Sequence, residues 1–468
     1  MPQTIDNAVC GPLKPGSQPP TDGQTLADLN PCPLNACCTI WGQCGITPEF
    51  CNNDTAASTG NPGTAPPGRS GCISNCGTDI KNNSAAGPVI SPISIGYYES
   101  WNFDRRCLNM RADSVDTSKY THYHWAFAAI DPTTFEVSIN DTYNQWSRFT
   151  GLTGIKRIVS LGGYAFSTDP STASIFRLAT HPANASLFAA NIAAFLATHN
   201  LDGVDIDWEY PSNPDSPSPS PSPSSDGPQY LSFLTSLRAA LPPTATLSIA
   251  APASYWYLRA FPIAAIASAV DYIVYMTYDL HGQWDFGSAF SQSGCPTGNC
   301  LRSHVNLTET LWALGMVTKA GVAPGKVAVG LAAYGRSFGM RERGCDGPEC
   351  AFEGGRLNST AAMAGCTQTP GLVANAEIEV VRGVARRGTR AWFDEGSGSD
   401  VLVYGDGHVG QWVAYMGEET RGARKERYEA LGFAGTADWA VDLLRFRDDD
   451  ERDPEGDGRR RPVPAGGR

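Results

Sequence analysis

The sequence has few charged residues and no long apolar run. Asp, Glu, Lys and Arg together make up 18% of the 468 residues, and the 47 acidic residues outnumber the 35 basic ones. The resulting formal net charge of −12 argues against nucleic acid or an anionic membrane surface as a partner. No stretch approaches the ~18 consecutive apolar residues of a membrane-spanning helix. A neutral polymer is compatible with this composition.

The beginning of the chain lacks the apolar segment of a signal peptide, since none precedes Cys10. Yet eight of the 14 cysteines lie within residues 10–76, which is typical of an oxidising compartment. Six Asn-x-Ser/Thr sequons agree with export, at Asn53, Asn82, Asn140, Asn184, Asn306 and Asn358. We therefore expect a secreted protein, extracellular or in the cell wall, and either a misassigned start or a fragment.

A row of carboxyl groups is the most informative feature of the sequence. Residues 202–211 read Asp-Gly-Val-Asp-Ile-Asp-Trp-Glu-Tyr-Pro. On a strand, Asp205, Asp207 and Glu209 share one face, and the intervening Val, Ile and Trp share the other. Same-face neighbours lie about 7 Å apart, close enough to raise one another's pKa. The alternative, a solvated edge strand, is disfavoured because the opposite face is apolar.

This run resembles the Asp-x-x-Asp-x-Asp-x-Glu signature of glycoside hydrolase family 18, the retaining chitinases, on the fourth strand of a (β/α)8 barrel. Further segments resemble the family's third, sixth, eighth, first and second strands. They are Ser-Leu-Gly-Gly at 160–163, Tyr-Met-Thr-Tyr-Asp at 275–279, Gly-Thr-Ala-Asp-Trp at 435–439, Gly-Tyr-Tyr at 96–98 and His-Trp-Ala-Phe-Ala at 124–128. The resemblance implies an α/β fold, a TIM barrel over residues 92–445.

The hydrophobic pattern places eight strands at 93–98, 123–130, 156–161, 202–208, 246–251, 271–278, 327–333 and 433–440. Helical periodicity appears at 185–198 and 230–241. About 100 residues separate the seventh and eighth strands, and the resemblance implies a small α+β insertion there, which we place at 338–410. A linker is expected at 77–91 and a disordered tail at 446–468.

The motif carboxyls all project from one strand, so no protein carboxylate is placed for attack from the other side of the sugar. The resemblance implies that the 2-acetamido oxygen of the substrate attacks instead. Glu209 is then the general acid/base, and Asp207 accepts the acetamide N–H. Asp205 holds a shared proton and tunes Asp207, while Tyr278 donates to the acetamide oxygen. No cofactor and no metal are implied.

The same resemblance implies the residues that contact the sugar. Trp439 forms an apolar floor, and Tyr97 and Ser160 hydrogen-bond the Asp205 and Asp207 pair. For Met276 and Phe127, a place in the core wall that touches the substrate is favoured over participation in the chemistry. The full set of expected substrate-binding residues is Trp439, Tyr97, Phe127, Met276, Asp279, Ser160 and Tyr210.

The cysteine spacing of residues 10–76 resembles the hevein-like chitin-binding module, with Cys32-x4-Cys37-Cys38-x5-Cys44-x6-Cys51 and a closing Cys72-x3-Cys76. The resemblance implies the pairs Cys10–Cys38, Cys32–Cys44, Cys37–Cys51 and Cys72–Cys76. It also implies a sugar site at Trp41, Phe50, Thr39 and Gln43. Two alternatives are a zinc site on the same cysteines and a purely structural role for Trp41 in the small core.

Six cysteines remain. A short loop favours Cys295–Cys300, whereas Cys107, Cys345, Cys350 and Cys366 cannot be assigned from the sequence. The order of modules and the segment at 30–38 resemble the fungal killer-toxin-like chitinases. We therefore expect a monomeric chitinase that binds chitin and chito-oligosaccharides. The alternatives are a chitin-binding lectin, a toxin-associated subunit and an endo-β-N-acetylglucosaminidase.

Overall fold

The computed structural model describes residues 1, 3–52, 71–83, 91–213, 224–384, 388–405 and 410–446. Its centre is a closed barrel of parallel strands that pair in chain order, and the last strand pairs with the first. The eight barrel strands are Ile93–Glu99, His122–Ile130, Lys156–Gly162, Gly203–Asp207, Thr246–Pro252, Tyr272–Met276, Val327–Ala332 and Gly435–Trp439. The predicted (β/α)8 fold is therefore confirmed.

Helices surround the barrel, and one of them, Gly163–Thr168, lies at its mouth. They are Trp146–Thr150, Gly163–Thr168, Ile175–Thr180, Ala185–His199, Asp226–Ala240, Tyr255–Leu258, Ile263–Ala269, Leu307–Lys319 and Glu418–Ala430. In the first of the two helices expected from the sequence, Phe188, Ile192 and Leu196 are buried on one side. None of the helices in the described part of the chain is long and apolar enough to cross a membrane.

The second expected helix begins four residues earlier than its apolar pattern, at Asp226 instead of Tyr230. The Asp226 side chain is fully buried and accepts hydrogen bonds from Arg177 Nε at 3.1 Å and from the Ser212 backbone at 3.0 Å. Pro228 is tolerated because it lies in the first turn. Tertiary contacts thus extend this helix beyond what periodicity predicts.

The insertion is a five-stranded antiparallel sheet with the helix Asn375–Gly383. Its strands, in spatial order, are Leu372–Ala374, Tyr334–Gly339, Gln411–Tyr415, Ser399–Tyr404 and Arg390–Asp394. The sheet extends beyond the expected bounds of 338–410. The reason is that its entering and leaving strands pair with each other, with Arg336 opposite Ala414.

The N-terminal module is a small sheet of Cys37–Thr39, Cys44–Gly45 and Cys72–Ser74, with the helix Pro48–Cys51. Disulfide bonds join Cys10–Cys38, Cys32–Cys44, Cys37–Cys51 and Cys72–Cys76, the pairs that the resemblance implies. The sulfurs that a zinc site needs as thiolates are therefore bonded to one another. The other bonds are Cys107–Cys366, Cys295–Cys300 and Cys345–Cys350.

The module packs directly on the barrel. Lys319, at the end of a barrel helix, donates from Nζ to the Gly77 carbonyl at 2.9 Å, and its own carbonyl accepts from Asn35 Nδ2 at 2.9 Å. Ser293 Oγ, in the loop after the sixth barrel strand, donates to Glu49 at 2.7 Å. The contact with Gly77 holds the beginning of the expected linker region against the barrel. The expected tail at 446–468 lies outside the described residues except for Phe446.

Candidate active site

The acid row faces the inside of the barrel at the carboxyl end of the fourth strand. Asp205 is 0% and Asp207 4% exposed, whereas Trp208 packs on the outside against Phe176, with ring centroids 5.6 Å apart. Glu209 follows two residues after the strand ends, where barrel enzymes place their catalytic groups. Strict alternation therefore separates the carboxyls from the apolar packing residues.

Asp205 is held by side chains from four other strands of the barrel. It accepts hydrogen bonds from Tyr97 OH at 2.8 Å, Ser160 Oγ at 2.9 Å and Ser248 Oγ at 2.8 Å, and His124 Nδ1 lies 3.5 Å away. Burial alone raises the pKa of Asp205. The contacts with His124, Ser248 and Tyr97 outweigh it, so the pKa is lowered below its ordinary value and the group stays ionised.

Asp207 and Glu209 shift in the opposite direction. Burial, together with the charges of Glu209 and Asp205, raises the pKa of Asp207 well above its usual range. Burial also raises the pKa of Glu209 to about 7, with a further contribution from the charge of Asp279. These directions favour a protonated Asp207 beside an ionised Asp205, and the role of Asp205 in holding a shared proton stays a prediction. Asp207 Oδ1 is buried and has no hydrogen-bond partner among the described residues.

Two glycines explain the Ser-Leu-Gly-Gly segment. A Cβ at Gly162, where φ is +103°, would lie 2.4 Å from the Asp207 carbonyl oxygen. A Cβ at Gly163, where φ is +83°, would lie 2.4 Å from the Phe127 ring. Both positions therefore require glycine, for the left-handed conformation and for the close approach of the neighbours. The segment brings the third strand against the acid row on one side and the aromatic floor on the other.

The segment directly after the sixth strand supplies Tyr278 and Asp279. A Cβ at Gly330 would lie 2.7 Å from the Tyr278 ring, so the seventh strand leaves space for this tyrosine. Asp279 accepts hydrogen bonds from Arg336 Nε and Nη2, both at 2.7 Å, and from Tyr334 OH at 2.8 Å. Burial opposes ionisation, but the Arg336 guanidinium holds the pKa of Asp279 far below its usual range.

Three partly exposed aromatic rings, of Trp101, Phe127 and Trp439, form a surface at the mouth, and the buried ring of Tyr97 packs against it. Trp439 lies 5.5 Å from Phe127 and 5.2 Å from Tyr97 between ring centroids. Trp101 stacks on Phe127 at 6.0 Å, with an interplanar angle of 18°, and is 37% exposed. Trp439 is partly exposed beside the acid row. This surface offers the apolar faces on which a pyranose ring stacks.

Sequence reasoning missed Trp101, Trp284, Tyr334 and Arg336. The Arg336 guanidinium lies 5.0 Å above the ring of Trp284, which is 43% exposed. The signal for Tyr334 and Arg336 is their two-residue spacing directly after the seventh barrel strand, which puts both on one face. The signal for Trp101 is its place directly after the first strand.

The two remaining expected residues take up separate positions. Tyr210 stacks on Tyr257 with ring centroids 4.8 Å apart, and burial, followed by the charge of Glu209, raises its pKa well above the usual range. Met276 ends the sixth strand and is partly buried opposite Pro252. Tyr210 thus adjoins the acid, whereas Met276 belongs to the barrel wall.

In the N-terminal module, Thr39 organises the expected sugar site. Thr39 is fully buried, and its Oγ1 accepts from the backbone N–H of Trp41 at 3.3 Å and of Gln43 at 3.2 Å. The hydroxyl therefore holds the turn that carries both side chains. Trp41 Nε1 has no hydrogen-bond partner among the described residues. Phe50 covers Gly45, where a Cβ would lie 2.2 Å from its ring.

Comparison with known proteins identifies the family. The model of glycosyl hydrolases family 18 matches residues 93–443, more than half of the chain. The chain belongs to glycosyl hydrolase family 18. A second model, of chitin recognition proteins, matches residues 23–60 of this family 18 chain.

Two of its relatives are fungal. The family 18 chain is 51% identical to the secreted chitinase LysM12 of Penicillium expansum over 451 residues, which is 96% of this chain and 29% of that protein. It is 37% identical to the killer toxin subunits alpha/beta of Kluyveromyces lactis over 461 residues, 97% of this chain and 36% of that protein. The chain thus spans about a third of the length of these curated relatives.

Solved structures with the same fold include a chitinase domain and a pseudo-chitinase. Catalytic domain 2 of the Group II chitinase of Ostrinia furnacalis superimposes with a TM-score of 0.63 at 23% identity, covering 75% of this chain and 90% of that one. Human YKL-39, described as a pseudo-chitinase with retained chitooligosaccharide binding properties, gives a TM-score of 0.61 at 19% identity, covering 75% and 93%. The fold alone therefore does not separate an enzyme from a lectin, and the residues of the site must.

Proposed function

We propose that this family 18 chain is a secreted chitinase that hydrolyses β-1,4-linked N-acetylglucosamine polymers with retention and with assistance from the substrate. The observation that carries the proposal is the buried acid row at the barrel mouth, whose carboxyls shift their pKa in opposite directions. The pKa of Asp205 is lowered, that of Asp207 is raised well above its usual range, and that of Glu209 is raised to about 7. The match to a chitin recognition model supports chitin as the substrate class. A relative that is named a secreted chitinase supports both the activity and export.

The first chemical step breaks the glycosidic bond. The substrate's acetamide oxygen attacks C1, the C1–O bond to the leaving sugar breaks, and Glu209 gives its proton to the departing oxygen. Asp207 accepts the acetamide N–H through its free Oδ1, and Tyr278 donates to the acetamide oxygen. The positively charged oxazolinium ion that forms lies next to the single negative charge of the Asp205 and Asp207 pair.

The second step restores the enzyme. Water attacks C1, Glu209 takes the proton from that water, and the bond between C1 and the acetamide oxygen breaks. Two inversions at C1 give overall retention. A pKa of about 7 suits Glu209 for both steps, because the same group must release and regain a proton near neutral pH.

The experiment is a substrate comparison. Chitin oligomers should be cleaved, whereas fully deacetylated chitosan and cellulose should be inert, because neither carries the acetamide nucleophile. Product release is measured as reducing ends, and the anomeric configuration of the first product is read by NMR. Comparable turnover of cellulose, or an inverted first product, would contradict the proposal.

The lectin alternative rests on a specific observation, the shared fold with a pseudo-chitinase. It is weaker because Glu209 is present with a raised pKa and lies at the barrel mouth next to the acetamide-binding groups. A binding groove needs an aromatic floor, but it has no need of a carboxyl that is protonated near pH 7.

A further inference from the structure

Buried polar side chains connect the acid row with the amino end of the barrel. His124 of the second strand is 0% exposed, and its Nδ1 lies 3.2 Å from Ser160 Oγ and 3.5 Å from Asp205 Oδ2. Its other ring nitrogen, Nε2, lies 2.9 Å from the hydroxyl of Tyr272. His124 therefore contacts the acid row through one nitrogen and Tyr272 through the other.

Neither His124 nor Tyr272 is placed to touch the substrate. Tyr272 is the first residue of the sixth strand, so it lies at the amino end of the barrel, opposite the mouth, and it is 4% exposed. On the side of the mouth, the Tyr97 ring packs against both His124 and Trp439, at 4.6 and 5.2 Å between ring centroids. Any effect of the two residues on the reaction must therefore pass through Asp205 and its neighbours.

The number of available hydrogens determines which atoms donate. Ser160 Oγ donates its one hydrogen to Asp205 Oδ2 at 2.9 Å, so toward His124 it can only accept. The hydrogen between Ser160 and His124 therefore belongs to Nδ1 of the histidine. Burial raises the pKa of Tyr272 well above its usual range, so its hydroxyl keeps its proton and can donate to Nε2. Each donor of this series then points toward the Asp205 carboxylate.

The ionisable groups that face the His124 ring come from several strands. They are Tyr97 from the first strand, Asp205 from the fourth and Tyr272 from the sixth, with His122 two residues earlier on its own strand. Burial raises the pKa of both tyrosines well above the usual range and lowers that of His122 to about 3. Of these groups, Asp205 is therefore the charged partner of the His124 N–H.

We propose that His124 and Tyr272 are positioning residues that keep Asp205 ionised in the free enzyme. His124 donates from Nδ1 toward the carboxylate, and Tyr272 holds this tautomer by donating to Nε2. The negative charge then stands beside the site of the oxazolinium ion before the substrate binds, and it is preorganised for the positive charge of the transition state. The inference rests on the proposed chitinase activity and concerns the acidic limb of its pH profile.

The test is the pH dependence of chitin hexamer hydrolysis. His124→Leu removes both ring nitrogens, so Asp205 is protonated more easily, and the acidic limb of the kcat/KM profile should move toward higher pH by roughly one unit. The alkaline limb should stay in place, whereas a merely structural defect would lower activity at every pH. His124→Asn keeps a side-chain N–H near the position of Nδ1 and should restore the acidic limb. Tyr272→Phe removes only the hydroxyl, so a smaller shift toward higher pH is expected.

The matched control is His122→Asn. His122 is another buried histidine of the second strand, but its Nδ1 lies 2.8 Å from Thr121 Oγ1, so the acidic limb should not move. An unmoved acidic limb in folded His124→Leu, or equal shifts in His124→Leu and His124→Asn, would overturn the proposal. If His124→Leu does not fold, an unmoved limb in Tyr272→Phe overturns it.

A spectroscopic measurement tests the tautomer without catalysis. In the nitrogen-15 NMR spectrum of histidine-labelled protein, the His124 signals are identified by their loss in His124→Asn. Nδ1 of His124 should carry hydrogen, and an Nδ1 without hydrogen would contradict the proposal. Failure of the wild type to hydrolyse the hexamer, with the expected tautomer present, would instead refute the proposed function.

Discussion

The charge of Asp279 should set the alkaline limit of activity through Glu209. Glu209 must be protonated to donate, so activity falls as pH rises through its pKa of about 7. Part of that elevation comes from the negative charge of Asp279, which is held by Arg336 with two hydrogen bonds of 2.7 Å. Asp279→Asn removes the negative charge and leaves the positive charge of Arg336 uncompensated. Both changes favour ionised Glu209 and lower its pKa.

The size of the shift follows from Coulomb's law. A unit charge about 7 Å away at an effective dielectric constant of roughly 40 changes the ionisation free energy by about 1.2 kcal/mol, or a little under one pH unit. The alkaline limb of kcat/KM, which reports the free enzyme, should therefore move toward lower pH by about 0.5–1 unit in Asp279→Asn. The assay is hexamer hydrolysis from pH 4 to about 9 at constant ionic strength.

The double variant Asp279→Asn/Arg336→Gln is the matched control, because it removes both charges. The alkaline limb of its kcat/KM profile should lie between the limbs of the wild type and of Asp279→Asn. The alkaline limb of Asp279→Asn could instead stay in place or move toward higher pH. Either result would refute the assignment of Glu209 as the group that must be protonated.

Two further substitutions separate the roles of the two modules. Asp207→Asn should lower kcat by on the order of 10² with only a modest change in hexamer affinity, because its contact strengthens as positive charge develops, and steady-state kinetics with calorimetry measures both. An unchanged kcat with a raised KM would mean simple binding. Trp41→Ala should weaken retention on insoluble chitin while soluble hexamer hydrolysis stays unchanged, because Trp41 belongs to the module and its backbone hydrogen bond to Thr39 Oγ1 is kept. A parallel loss of hexamer hydrolysis in folded protein would show that the module contributes to the cleft.

The barrel and the acid row could be predicted because both depend on local patterns. Alternation along residues 203–208 fixes which side chains face the barrel interior, and the structure keeps that alternation. The regular hydrophobic pattern of the sequence likewise locates the eight strands. Where non-local contacts decide, the sequence was less informative: the buried Asp226 extends a helix, and pairing between Tyr334–Gly339 and Gln411–Tyr415 widens the insertion.

Other features depend on residues that are far apart in the sequence. Cys107 and Cys366 are separated by 259 residues, and no spacing rule joins them. The location of the shared proton depends on how many donors reach each carboxyl, and those donors come from several strands. Arg336 was missed for the same reason, since its partner Asp279 precedes it by 57 residues.

The central claim is that Glu209 supplies the proton that breaks the glycosidic bond, and Glu209→Gln tests it most directly. The variant keeps the size of the side chain and removes the acidic proton, so general-acid catalysis worth roughly 10²–10⁴ should be lost. The measurement pairs reducing-end release from chitin with calorimetric affinity for the hexamer, in wild type and variant. We predict loss of the first with retention of the second. Wild type that binds the hexamer tightly but releases no reducing ends from about pH 3 to 8 would contradict the account and favour the lectin.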